Sequence, residues 1–458
     1  MHDAKRMIGI VCAAGLALCG FLAFSQQAEG GHLALEPAGW STPLCLSTAT
    51  ADAHSVDAVV DSQGRLHVVW SEAGSLVHLW RQNAQWSSPV AIGSGDAVSL
   101  AAGPGGQVRL AFSQNDDVHF CSWHDSGGWS VPVNVSDSTD LSASPQIAAC
   151  ADGSLAIAWS EQGLSSAVIY LAESTDGTQW SMAPVPDGYG SRPVLAFAGP
   201  GDLWLAWQDW LGDGYSTEIF VTRRVGQSWT MPETASITWT EDSILPTLAT
   251  AGGAPVVAWQ EGAPGHEAID MAQWLGDAWT VPQRRTESGP AYAPDLSALA
   301  SGEVNLAWTT AGAVQIVRGS ATTNIWQPIE TVASGQTEPR SVRLALGDRV
   351  HVLWLAASPL GNRVVLYSVS GDHEPTATLT ALPASPTATD TATSTPVASA
   401  TATETLAPPT WTPEPSLTAT ITSSPTATGT AAPSPSPTAT HSGQLWRVSL
   451  PLVLRQRR

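Results

Sequence analysis

Four acids recur two residues beyond a bulky aromatic at the end of a short apolar stretch: Glu72 after Trp70, Glu161 after Trp159, Asp209 after Trp207 and Glu261 after Trp259, with Gln114 in the same place after Phe112. Strand alternation puts such residues at loop entrances on one rim, where they could ring a central channel and coordinate a cation or hydrogen-bond sugar hydroxyls. Carboxylates that cap turns, repeated because the unit around them repeats, would leave the same pattern. The longest insertion between strands, Asp209 to Glu218, adds Trp210 and Tyr215 on that rim, and the next unit contributes Gly262 to Glu267. Exposed rings of this kind stack on sugars, and loop packing is the alternative reading.

The elements that must hold these residues repeat. From Val56 to Ser370 a unit of 42 to 52 residues recurs with two landmarks. One is a short apolar strand ending in Trp70, Phe112, Trp159, Trp207, Trp259, Trp308 or Trp354. The other is a Trp-Ser/Thr-X-Pro stretch opening at Trp86, Trp129, Trp180, Trp229, Trp279 or Trp326, with degenerate forms at Trp180 and Trp326. A third apolar strand lies between them, as in Leu76 to Trp80 or Val364 to Tyr367, and a further strand opens near a proline, as at Pro145, Pro193, Pro246 and Pro294. Four short strands per unit of this length, with no helical periodicity, predict an all-β propeller, and the units number seven.

The last unit lacks its Trp-Ser/Thr strand, and a spare copy, Gly39-Trp40-Ser41-Thr42-Pro43, stands at the front of the chain. The spacing predicts that this N-terminal strand closes the ring. Joining ends more than three hundred residues apart costs about 5 kcal/mol. Burying one Trp returns at most roughly 4 kcal/mol, so the clasp also needs Pro43 to Leu46 and its hydrogen bonds. Thirteen of the 21 tryptophans occupy landmark positions, which makes them core and not a cofactor site.

Composition narrows the classes of function. The 458 residues carry a net charge of −21, which disfavours an electrostatic hold on nucleic acid or an anionic bilayer. Lys5, the only lysine, lies in an apolar leader, so a mature chain would have neither a Schiff-base nor a P-loop lysine. No HExxH, GxSxG, Walker or GxGxxG motif occurs, and neither a metal nor a cofactor is expected. Cys45, Cys121 and Cys150 permit one disulfide at most, or three buried thiols.

Ser174-Thr175-Asp176-Gly177-Thr178-Gln179-Trp180 resembles the Asp-box of sialidase-like (BNR-repeat) propellers, one residue shorter than the family spacing, with weaker relatives before Trp129, Trp229 and Trp279. In that family the box is a folding element away from the substrate. The resemblance also implies an arginine cluster for a substrate carboxylate, which Arg192, Arg340 and Arg363 with Tyr189 and Tyr292 could supply. The Phe/Tyr-Arg-Ile-Pro motif is absent, its nearest approach being Ser191-Arg192-Pro193, and the family's propellers have six blades where seven are counted here.

The ends read as address. Residues 1–25 have the basic start and apolar run of an export signal, or of an uncleaved anchor. The propeller occupies 39–372; a Thr/Ser/Pro-rich stretch over 373–443 cannot bury a core and reads as a disordered stalk. Residues 444–458 are apolar with a basic end, and could be a sorting signal or a frayed strand. Together these features predict a monomeric, extracellular or cell-surface seven-bladed propeller that binds a glycan or a protein and does no catalysis. Candidate ligand contacts are Glu72, Glu161, Asp209, Trp210, Tyr215, Glu261 and Arg192. A sialidase-like glycoside hydrolase and a ligand-free surface protein are the alternatives.

Overall fold

The computed structural model describes residues 39–163, 166–211, 216–236, 241–287 and 289–371. The leader, the Thr/Pro stretch, the C-terminal segment and Tyr215 lie outside the described residues. The described chain forms seven antiparallel sheets of four or five strands, each a meander running outward from a common axis. The inner strands are Ala53–Val60, Asp96–Ala102, Ser142–Ala149, Ser191–Gly199, Ser243–Ala251, Ala291–Ala298 and Arg340–Leu346. Each packs beside the inner strands of both neighbours, and Arg340–Leu346 meets Ala53–Val60 to complete the circle. The fold is an all-β, seven-bladed propeller.

The second strand of each blade is buried on both faces because it is sandwiched between blades, which is why it reads as a continuous apolar run. Its terminal aromatics, Trp70, Trp159, Trp207, Trp259, Trp308, Trp354 and Phe112, are among the largest fully buried side chains. The core is divided accordingly into seven clusters, each shared by two adjacent blades.

The outer-strand motif has a physical reason in its hydrogen bonds. The Ser/Thr hydroxyl accepts the amide of the third strand: Trp80 to Ser87 at 3.0 Å, Ser122 to Ser130 at 3.0 Å, Arg223 to Thr230 at 2.9 Å and Gln273 to Thr280 at 3.0 Å. The proline that follows has no N–H to offer an incoming strand, which protects the edge of the sheet. The X residue between them points to solvent, as at Val131, Met231 and Val281.

The front of the chain repeats this pattern in the seventh blade. Val369 donates to Ser41 Oγ at 3.1 Å and Val365 to Ser47 Oγ at 2.8 Å, while Leu44 and Cys45 pair with Tyr367 and Leu366. Trp40 bridges Ser370, is 5% exposed, donates its indole N–H to Glu330 at 3.0 Å and lies under the Arg318 guanidinium. The expected clasp is therefore a true outer strand supplied from the far end of the sequence.

One expectation is corrected in detail. The prolines do not open the inner strands; they sit inside them, at a β-bulge found in every blade. The residue before each proline is in the left-handed region, with φ of 56° at Ser144, 54° at Arg192, 55° at Leu245 and 47° at Ala293. Ala97 and Ser341 repeat the conformation without proline. Non-glycine residues adopt it at a cost of about 1–3 kcal/mol, and here the strain is concentrated around one mouth of the channel.

Candidate functional site

The recurrent acids sit on the second strands, whereas the channel is lined by the inner ones. Residues i and i+2 of a strand face the same way, so Glu72, Glu161 and Glu261 accept the indole N–H of their own landmarks, Trp70 at 2.9 Å, Trp159 at 2.7 Å and Trp259 at 2.6 Å. Each also accepts a hydroxyl from the connection ahead of its inner strand or that strand's first residue: Thr48 for Glu72, Ser138 and Ser142 for Glu161, and Ser243 for Glu261. Burial raises the Glu72 carboxyl above its ordinary range. These three carboxylates are spent on the indole and hydroxyl donors around them and do not line the channel cavity. Gln114 donates to Ser94 at the end of the outer strand of blade 1.

Blade 4 breaks the pattern. Asp209 is one methylene shorter than Glu, and the buried Trp207 indole N–H has no acceptor among the described residues. In the other landmarks the indole is satisfied, by glutamate or by Gln315 and Gln336 under Trp308 and Trp354. Burial pushes the Asp209 carboxyl up. Beside it the connection from blade 3 is reduced to a single residue, because the outer strand Ser181–Tyr189 runs almost directly into Ser191–Gly199. Gly190 makes this turn at φ 131°, and a Cβ there would fall 2.3 Å from Gln208 O and 3.0 Å from Asp209 Cβ.

That close approach sets Tyr189, Arg192, Asp209 and Trp210 along one rim. Tyr189 is 53% exposed and Trp210 59% exposed. Arg192 is exposed, held at positive φ beside the channel mouth, and makes no hydrogen bond, ion pair or ring contact among the described residues. Other arginines of the propeller are engaged. Arg81, Arg223, Arg224, Arg285 and Arg318 lie over tryptophan rings, Arg340 pairs with Glu338 at 2.8 Å and Arg363 with Asp52 at 3.9 Å. Arg340 and Arg363 belong to blade 7 and do not join Arg192.

The channel mouth is a cavity of about 450 Å³. One position of the inner strand, opposite the residue before each landmark aromatic, recurs around it as Asp57, Ser99, Gln146, Val194, Thr247, Asp295 and Arg343. At four of these positions it takes a backbone amide of the next blade: Leu100 to Asp57 at 2.7 Å, Ile147 to Ser99 at 3.1 Å, Leu296 to Thr247 at 3.1 Å and Leu344 to Asp295 at 2.7 Å. Arg343 stands between the two acids, its Nε 3.7 Å from Asp57. Burial raises both carboxyls, Asp295 to about 6, against the opposing pull of Arg343.

The opposite face carries two further features. Ser174 Oγ accepts the Gly177 amide at 2.9 Å, and Asp176 accepts those of Thr178 and Gln179 at 2.7 and 3.0 Å, which hold its carboxyl far below the usual range. This stretch is a self-contained turn with its polar groups spent internally. Between blades 1 and 2, Asp61 accepts Arg65 Nε at 2.7 Å and contacts His67 Nε2 at 3.2 Å, and His67 Nδ1 meets His78 Nε2 at 3.0 Å under Trp123. Burial depresses His67 to about 4 and His78 to about 3. Only the strand register, which sets His78 opposite Val69, brings these residues together. Cys45, Cys121 and Cys150 are buried, and burial pushes the Cys121 thiol up to about 12.

No family model matches the chain, and no curated protein is significantly similar to it. Among solved structures it resembles a polysaccharide lyase of family PL25, an ulvan lyase bound to -[GlcA(1-4)Rha3S]-, with a TM-score of 0.53 at 11% identity over 70% of this chain and 95% of that one. The polysaccharide lyase Uly1 gives 0.50 at 9% identity, covering 69% and 90%. A fungal alcohol oxidase of the AA5 family, in complex with copper, also gives 0.50, at 11% identity over 73% and 76%. At such identities the likeness establishes a shared propeller architecture and nothing about the reaction. Among the described residues no helix is long and apolar enough to cross a membrane.

Proposed function

We propose that the protein is a non-enzymatic binding module for glycans, exported and displayed outside the cell on its Thr/Pro-rich stalk. The observation that carries this reading is the rim of blades 3 and 4, where two exposed aromatics and a half-buried carboxylate lie along the strand ends beside Arg192, which lines the channel cavity and has no partner among the described residues. Tyr189 and Trp210 offer flat apolar faces to a sugar ring. Arg192 and Asp209 supply a donor and an acceptor for its substituents, and Tyr215 belongs to the same loop in sequence. The local departures from the repeat, a short acid and a collapsed connection, fall at this one place, where function tends to override regularity.

The carboxylates that catalysis would need are mostly engaged: Glu72, Glu161 and Glu261 hold indoles, and the arginines of blade 7 are paired with acids. A glycan array tests the reading. Binding to a defined glycan, lost at least tenfold in Trp210→Ala and retained in Met231→Ala on the outer edge, is the expected result. Turnover of a fluorogenic sialoside, or capture of protein ligands without any glycan hit, would defeat it.

A further inference from the structure

Three blades share a hydrogen-bonded triad that blade 4 lacks. In blades 1, 3 and 5 a landmark indole and a nearby hydroxyl both donate to one glutamate: Trp70 and Thr48 to Glu72, Trp159 and Ser142 to Glu161, Trp259 and Ser243 to Glu261. The two serines stand directly opposite their glutamates in the strand register. In blade 4 Ser191 pairs with Gln208, so the residue one step on, opposite Asp209, is Gly190. That position cannot carry a serine, because a Cβ there would fall 2.8 Å from Trp207 Cδ1 and 3.0 Å from Asp209 Cβ. Blade 4 therefore lacks both the extra methylene of the acid and the hydroxyl opposite it.

The two remaining members are uncommitted. Trp207 is 1% exposed and its indole N–H meets no acceptor among the described residues, a condition that folded chains seldom leave in a buried donor. The half-buried Asp209 carboxyl takes only the adjacent Trp210 amide. Residues 207 and 209 face the same way along their strand, so donor and acceptor lie side by side without bonding to each other. A hydroxyl group satisfies both, since its oxygen accepts from the indole while its proton goes to the carboxylate. The exposed aromatics are chain neighbours of this pair, Tyr189 next to Gly190 and Trp210 next to Asp209.

We infer that Trp207 and Asp209 together select one uncharged ring hydroxyl of a sugar stacked on Tyr189 and Trp210. The ligand supplies the hydroxyl that Ser142 and Ser243 supply to the carboxylates of blades 3 and 5. The inference rests on the glycan reading above and names the group that is recognised. It also gives the short acid a physical reason. A glutamate at this place would close on the indole, as Glu161 does on Trp159 at 2.7 Å, and the carboxylate would no longer be available to a sugar. The free protein gives up stability at blade 4 to keep the pair open, a trade made at ligand sites.

The repeat itself supplies the test. The methyl glycosides of glucose, galactose and mannose, each with its monodeoxy derivatives, are titrated into the full chain by calorimetry, and the Trp207 indole resonance is followed by NMR. At least one glycoside is expected to bind and to shift that resonance, and removal of one particular hydroxyl should weaken it about tenfold or more. Asp209→Ala should bring that deoxy derivative and its parent to within about twofold of each other, the signature of a direct pairing. Asp209→Glu should raise the melting temperature by about 2–6 °C and abolish both the binding and the shift. A glycoside that binds with no hydroxyl singled out, or without moving the indole, overturns the inference and leaves the glycan reading intact. An Asp209→Glu protein that melts no higher, or that keeps the native affinity, refutes it as well. If none of the glycosides binds, the glycan reading fails and the selection fails with it.

Discussion

Trp40→Ala tests the closure of the ring where it is most concentrated. The indole is 5% exposed, packs among Val332, Val342 and Val352, donates to Glu330 at 3.0 Å and stacks beneath Arg318 at 5.4 Å. Truncating a buried aromatic to alanine costs about 3–5 kcal/mol, including the loss of its contacts. Leaving Glu330 with Arg318 as its remaining partner adds little, since that pair is partly exposed at 30% and 37%. A loss of about 4 kcal/mol is a large part of the roughly 5–15 kcal/mol that holds a typical domain folded. In a propeller of this size it corresponds to a drop of about 8 °C, taking about 2 °C per kcal/mol. Differential scanning calorimetry measures the drop, and hydrogen exchange locates it. The amides of Val365 and Val369, which donate to Ser47 and Ser41, should lose protection before those of blade 3. A melting point within about 2 °C of the native one, or uniform loss of protection around the ring, would refute the idea that the front strand closes the structure.

Three further outcomes follow from the geometry. His67, His78 and His351 are buried and neutral, at about 4, 3 and 4, so the unfolded chain binds more protons below pH 6.5. Stability is therefore complete above pH 6.5 and falls toward pH 4 by about 3 kcal/mol for each imidazole. The raised Asp295 acts in the opposite sense without cancelling three histidines. Urea midpoints at pH 7.5 and 4.5 measure the difference, and His351→Phe should reduce it by roughly a third; an unchanged midpoint contradicts it. Gly190→Ala forces a Cβ within 2.3 Å of Gln208 O, and should lower the melting point by several degrees and weaken glycan binding together. Glu261→Leu strips the acceptor from Trp259 and Ser243, costs about 1–3 kcal/mol by thermal melt and leaves glycan affinity unaltered. A lost affinity in a fully folded Glu261→Leu would return this acid to the ligand site.

The blade count, the four-strand meander and the front-end clasp were legible because they are periodic: Trp40, Trp86 and Trp229 stand in equivalent places because each opens the same outer strand. The prolines were visible but misplaced. A sequence shows that Pro193 disfavours a regular strand, not that the backbone accepts a left-handed Arg192 to keep the strand continuous. The recurrent glutamates were recognised without their partners, although the two-residue spacing from each tryptophan already places carboxylate and indole on one face. The His67–His78 contact depends on strand register, which no single stretch of chain contains.

The central claim is that the rim of blades 3 and 4 receives a sugar. It is tested most directly by a crystal structure of the protein soaked with its best array glycan. The account predicts a sugar ring against Trp210 with a substituent toward Arg192. A glycan seated on the opposite face beside the Asp176 turn, or along the outer edge at Met231 and Val281, would contradict it.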